Sequence, residues 1–184
     1  MALIAAELRQ YDKSIEAWNF YLELDPSDHD AYYNRALSYS ALGEYRRAIR
    51  DNIRCIELNP HDVEAYINCA ACYLDVKEYD LSLEFLELAL VQNPNHPLAY
   101  MCQFRVHFRR REYKQALRSL RRVEKLISDP EDKYHDRMKD LFEEYGNVYH
   151  RLAKKRLCLC AKCAKSEKDR QKRRELFRKY CDKS

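Results

Sequence analysis

Residues 29–62 read HDAYYNRALSYSALGEYRRAIRDNIRCIELNPHD, and this stretch decides the fold. Tyr32, Ala36 and Tyr39 are spaced i, i+4, i+7, which puts them on one face of a helix. The small Ala36 lets a neighbouring helix approach closely, with the two tyrosines filling the space on either side. Gly43 ends this helix and Tyr45 opens a second, in which Ala48, Ile49 and Ile56 repeat the apolar face. Asn59-Pro60 ends the second helix, because proline disfavours helical geometry in the residue before it. The stretch is therefore a helical hairpin, and His61-Asp62 is expected to cap the next one. His29, His61 and His96 all fall at such junctions, where capping is the natural role.

Shifted by 34 residues, the chain lines up with itself. Pro26, Pro60 and Pro94 form one column, preceded by Asp25, Asn59 and Asn93. Tyr11, Tyr45, Tyr79 and Tyr113 form a second; Ser14, Ala48, Ser82 and Ala116 a third. Tyr32, Tyr66 and Tyr100 form a fourth, followed four residues later by Ala36, Ala70 and Phe104. A 34-residue period held by so many columns marks a hairpin stacked on copies of itself, which predicts an all-α solenoid.

The pattern Tyr32…Ala36…Tyr39…Gly43-Glu-Tyr45-Arg-Arg-Ala48-Ile49…Cys55-Ile-Glu-Leu-Asn59-Pro60 resembles a tetratricopeptide repeat, and the resemblance covers about residues 1–127. It implies a right-handed superhelical solenoid of stacked antiparallel helix pairs that acts as a protein-interaction scaffold. The units read as a partial repeat at 1–28, repeats at 29–62 and 63–96, and a divergent repeat at 97–130. The partial unit keeps its second helix, 11–24 with Trp18, while its first shrinks to about 2–8. That is the pattern either of a fragment or of an atypical cap. In the divergent unit Phe104 replaces the small residue, His107 replaces the tyrosine and the proline arrives late, in Ser128-Asp-Pro130. This pair is expected to pack less closely. Residues 131–165 read as a C-terminal capping helix, starting at about 133, whose apolar residues (Met138, Leu141, Phe142, Tyr145, Val148, Tyr149, Leu152) recur every three or four positions. Residues 166–184 read as a basic tail.

Composition narrows the function. Among 184 residues there are two glycines, which leaves no room for a glycine-rich phosphate loop or a dinucleotide fingerprint. No G-x-S-x-G or H-E-x-x-H stretch occurs, and the six histidines are scattered. The expectation is a non-enzyme, with no cofactor and no small-molecule substrate. The eight cysteines, with no secretory signal and no apolar stretch of membrane-spanning length, read as reduced thiols in a cytoplasmic protein, the nucleus being the other compartment they admit. Cys69-Ala-Ala-Cys72 has redox spacing but begins two turns into a helix, so both thiols are expected in the core. Cys158, Cys160 and Cys163, with Cys181 or His150 as a fourth ligand, have the count for a zinc site. A continuous helix points Cys158 and Cys160 to different faces, so no metal is assigned.

Charge is split. Residues 1–100 carry 8 Lys/Arg against 17 Asp/Glu, and residues 101–184 carry 26 against 13. Such a basic end attracts nucleic acid, anionic lipid or an acidic protein surface alike. Lys168-Asp-Arg-Gln-Lys-Arg-Arg174 resembles a nuclear-import or nucleic-acid patch. The alternative readings are thus a nucleic-acid-associated protein acting through 151–184, or a docking or regulatory fragment of a larger enzyme.

In the resembled family the first helix of each unit lines the concave groove. Carried onto this chain, that face holds Asp30, Tyr33, Asn34, Leu37 and Ala41 in one unit. The next supplies Glu64, Ile67, Asn68, Ala71 and Asp75; the last supplies Met101, Cys102, Arg105, Phe108 and Arg109. Tyr33, Leu37, Ile67, Met101 and Phe108 are the expected apolar contacts. Asn34 and Asn68 share a column, and an amide that both donates and accepts can grip a peptide backbone whatever its sequence. This resembles the asparagine ladder of protein-glycosylating family members. Chaperone-binding members instead clamp a C-terminal carboxylate with a lysine and an arginine, and here Glu64 and Asn68 stand in those places; Leu98 and Cys102 stand there one unit later. The charge-assisted grip is missing, so no such clamp is expected. The acids Asp30, Glu64 and Asp75 are expected at one end of the groove and Arg105 and Arg109 at the other, a field that would orient a ligand.

Overall fold

The computed structural model describes residues 10–127 and Tyr134. Among them are seven helices and no strand: α1 (Tyr11–Leu24), α2 (His29–Ala41), α3 (Tyr45–Leu58), α4 (Val63–Asp75), α5 (Tyr79–Gln92), α6 (Pro97–Arg109) and α7 (Tyr113–Leu126). All lie in one compact unit, Met1–Leu126. The short helix expected at 2–8, the capping helix at 131–165 and the tail at 166–184 lie outside the described residues. The described residues form an all-α solenoid. Helices α2, α4 and α6 have 13 residues each, and α1, α3, α5 and α7 have 14 each, with starts spaced by the same 34-residue step.

Each boundary has a local cause. The first helices end in a repeated turn in which residue 43, 77 or 111 takes a left-handed backbone: φ is 77° at Gly43, 66° at Lys77 and 62° at Arg111. In each turn two backbone N–H groups return to the helix, as Gly43 N–H to Ser40 O (3.0 Å) and Glu44 N–H to Tyr39 O (2.9 Å). These satisfy carbonyls that the helix end leaves open. Glycine takes this conformation freely, whereas a residue with a Cβ pays roughly 1–2 kcal/mol. Lys77→Gly is therefore expected to stabilise the chain by about 0.5–1 kcal/mol, after the entropy of the unfolded glycine is set against the relief. Gly43→Ala is expected to destabilise through backbone strain alone, since an added Cβ meets nothing within 4 Å. Thermal unfolding of the two variants checks both signs.

The second helices end at Asp25, Asn59 and Asn93, each extended (ψ of 90°, 90° and 92°) ahead of its proline. Each side chain then accepts from the N–H two residues on: Ser27, His61 and Asn95. The tyrosine column reaches the same turn. Tyr100 Oη donates to Pro94 O (2.9 Å) and Tyr32 Oη to Pro26 O (3.4 Å). Asp28 and Asp62 cap α2 and α4 by accepting from Ala31 N–H and Ala65 N–H, each at 3.1 Å. The histidines do not share this task. His29 is the first residue of α2, His61 approaches Gln92, and His96 holds the N-cap position of α6 without a side-chain cap bond. An imidazole is too bulky to fold back onto its own helix N–H groups as a carboxylate does, and Pro97 at N1 already removes one of them.

The packing is that of hairpins in series: α2 against α3, α4 against α5, α6 against α7, each joined to the next unit. The divergent pair packs along its length as the others do; the thinner joint is α5 against α6. Phe104 explains the difference from expectation. Its ring is buried and lies 5.8 Å from Phe108, which lies 5.8 Å from Tyr113, so an aromatic run fills the space inside the hairpin. A central cluster holds Tyr66, Ile67, Ala70, Leu74, Leu86, Ala89, Ala99, Cys102 and Val106. First helices touch the first helices of neighbouring units, whereas α3, α5 and α7 make marginal contact with one another at most. The first-helix row is thus the tighter, inner side of the solenoid and the second-helix row the outer side.

Candidate partner-binding groove

The inner row carries the ten residues singled out from the sequence, and they divide by depth. On α2, Leu37 is 41% exposed, with Tyr33 and Asn34 partly covered. Asn34 Nδ2 donates to Asp30 O at 2.7 Å, bracing the amide on its own helix. On α4, Asn68 lies against the Tyr33 phenol of the preceding unit. Burial pushes the Tyr33 pKa up, and Asn68 offsets part of that rise. Asn68 Nδ2 is buried and makes no hydrogen bond of full geometry, so its effect is that of a nearby dipole. The two asparagines share a column but hold different posts, one tied to its backbone and one bridging units.

Ile67 and Met101, each 5% exposed, are buried. Ile67 belongs to the central cluster with Cys102, because α4 and α6 touch along the inner row; Ala71 packs against the same cluster. On α6, Arg105 and Phe108 are half-buried and Arg109 is exposed. The acids and bases are less separated than the sequence suggested. Burial raises the Asp75 pKa, while Arg105 and Arg109 of the next unit pull it down. Glu64 lies 3.2 Å from His96 Nε2. Only Asp30 stands at the far end; Asp75 meets the arginines at the joint of α4 with α6.

The four described cysteines are free thiols in the core. Burial pushes the pKa of Cys55 and Cys102 up to about 12 and that of Cys72 to about 11, and raises Cys69 further. A thiol so far above neutral holds almost no thiolate, the reactive form. Alkylation at pH 8 should leave Cys55, Cys69, Cys72 and Cys102 unmodified in the native chain and label all four in denaturant, as peptide mass spectrometry reads. Cys158, Cys160, Cys163 and Cys181 lie outside the described residues. Asp28, His29 and Asp30 bring ligand atoms together, but Asp28 is occupied as the α2 cap and as acceptor from Tyr21 Oη at 2.9 Å. No described helix is long and apolar enough to cross a membrane.

Residues 29–62, the hairpin of α2 and α3, match the tetratricopeptide repeat family. That hairpin is a tetratricopeptide repeat. Solved structures share its fold. A crystal structure of MamA has a TM-score of 0.65 at 17% identity, covering 79% of this chain and 85% of that one. A second MamA crystal structure also scores 0.65, at 16% identity, over 90% and 93% of the two chains. The Arabidopsis OM64 TPR domain scores 0.57 at 19% identity, over 59% of this chain and 89% of that domain. At such identities the likeness is one of fold. No curated protein matches the chain. Tetratricopeptide repeats generally mediate protein–protein interaction.

One feature of the stack is not visible in the periodicity of any single helix. Arg35 of α2 grips Asp51 of α3 through two 2.7 Å bonds, Nε to Oδ2 and Nη2 to Oδ1, and reaches Asn19 of α1 at 2.9 Å. One repeat on, the same two positions hold Cys69 and Phe85; two repeats on they hold Gln103 and Ser119, 3.4 Å apart. The signal was present as a charged pair sixteen residues apart inside a hairpin whose other columns are apolar.

Proposed function

We propose that this chain is a protein-interaction module, not an enzyme, and that the inner row binds an extended or helical segment of a partner protein. The observation that carries the reading is the continuity of Leu37, Tyr33 and Asn68 across the α2–α4 joint: an exposed apolar residue, a phenol and an amide from two units form one face. A segment lying along it would bury Leu37 and find hydrogen-bonding groups at Asn34, Asn68 and Tyr33, with Phe108, Arg105 and Arg109 further along. Glu64 would repel a terminal carboxylate where a chaperone clamp needs a cation, so the ligand is an internal segment and not a free C-terminus.

The test is affinity capture on the immobilised full chain, with proteins identified by mass spectrometry. Asn34→Ala/Asn68→Ala and Leu37→Asp are expected to lose the captured partner while keeping the native helical circular dichroism. Partner lists identical to that of the native chain would reject the groove.

A further inference from the structure

The outer row carries a pattern the groove does not use. Glu16, Arg50, Glu84 and Arg118 lie 34 residues apart, at equivalent positions on α1, α3, α5 and α7, and all four are exposed. Their signs alternate. None of the four enters an ion pair among the described residues. The column four residues earlier, Asp12, Arg46, Asp80 and Lys114, is also exposed and alternates likewise. Helix α3 adds Arg47 and Arg54 with one acid, Glu57, and α7 adds Arg121 and Lys125; α5 adds Glu87 with Leu88 and Val91, 49% and 75% exposed. Helix α1 adds Glu23 and one base, Lys13, with Phe20, 65% exposed. The outer face is therefore striped along these two columns, acidic, basic, acidic, basic, with exposed apolar surface on α1 and α5. Within one chain the stripes meet only near the helix starts and turns, as Arg46 does with Glu78 at 2.8 Å. Glu16, Arg50, Glu84 and Arg118 stay in water, whereas Arg54 pairs with Glu57 at 3.0 Å.

We infer that this outer face is an interface between two copies of the chain. Four stripes of alternating sign are fully self-complementary in one two-fold arrangement. An axis parallel to the helices, running between α3 and α5, reverses the stack order and keeps each position at its height along the helix. Arg50 then meets the partner's Glu84 and Glu16 meets the partner's Arg118, each pair occurring twice as an isologous contact requires. The same operation lays the aliphatic stem of Arg54 over the partner's Leu88, covering apolar surface that one chain leaves wet. An axis across the helices sets Glu16 on the partner's Glu16, and a displacement by one helix sets α3 on α3. Both put like charges face to face, and a displacement by two helices opposes unlike charges but keeps only half of the pairs, so the centred register is the most favourable. The outer side of a solenoid is convex, which brings Arg50 and Glu84, at the centre, closest.

Sedimentation equilibrium of the full chain tests this without reference to any groove ligand. The expected result is a dimer at low ionic strength that dissociates as salt screens exposed charges. Arg50→Glu and Glu84→Arg should each raise the dimer dissociation constant about tenfold or more, since every substitution turns two attractions into repulsions. The double variant R50E/E84R should restore native dimerisation, and all three should keep the native circular dichroism. A native chain that stays monomeric at low salt overturns the inference. So does a dimer indifferent to either reversal, or a double variant that does not recover.

Discussion

Removing the Arg35 guanidinium is expected to destabilise the chain by about 3 kcal/mol, at the low end of the roughly 3–5 kcal/mol lost when a buried pair is broken. The partner left behind is the reason. Asp51 has 8% of its side chain exposed and Arg35 17%, so Arg35→Ala would leave a carboxyl group in the interior without its partner. Arg35 is also framed by aromatic rings, 5.5 Å from the Tyr32 centroid and 6.0 Å from that of Tyr39, contacts that a lysine would replace poorly. The next unit supplies the control. Its equivalent of Asp51 is Phe85, held 6.2 Å from Tyr66 and 5.3 Å from Tyr73, the same two tyrosine columns. Arg35→Cys/Asp51→Phe imports that apolar pair into a site with matching walls and should recover most of the loss. Denaturant unfolding of the single and double variants reads both effects. A single variant as stable as the native chain would show that the pair contributes nothing net.

Leu86→Ala should cost about 3–5 kcal/mol, the range for emptying a leucine site that cannot collapse. Leu86 has no exposed surface and belongs to the cluster that joins α4, α5 and α6. A repeat array is held by each unit's own stability and by its contacts with neighbours. The loss falls beside the thinnest joint, α5 with α6, so unfolding of this variant should broaden, with α6 and α7 melting apart from the units before them. Urea unfolding followed by circular dichroism checks the midpoint and the slope; a sharp, unshifted transition would refute the placement of Leu86.

The period was legible because it is written in residues with strong local meaning. Gly43 sits in the left-handed turn, Tyr45 opens α3, and Asn59 ends it ahead of Pro60. Where a unit departs from that vocabulary the geometry persists unannounced: Lys77 and Arg111 take the glycine's backbone because packing on both sides holds the turn. Depth on the inner row was harder to read. A helical wheel places Ile67 beside Asn68, but only the approach of α6 to α4 decides which of them is covered. The same contact brings Arg105 and Arg109 to Asp75, collapsing a charge gradient that looked extended along the chain. Arg35 with Asp51 needed knowledge of which second-helix residue faces which first-helix residue, and no single-helix periodicity contains that.

The central claim is that successive units stack through their first helices into one continuous inner face. It is read most directly by nuclear Overhauser contacts in the native full chain, between the Tyr33 ring and the Asn68 side-chain amide and between Ser40 and Cys72, whose Oγ and Sγ lie 3.8 Å apart across the same joint. Both cross-peaks are expected, alongside the helical contacts within each unit. A chain that shows the helical contacts and lacks both inter-unit ones would contradict the stack and the face built on it.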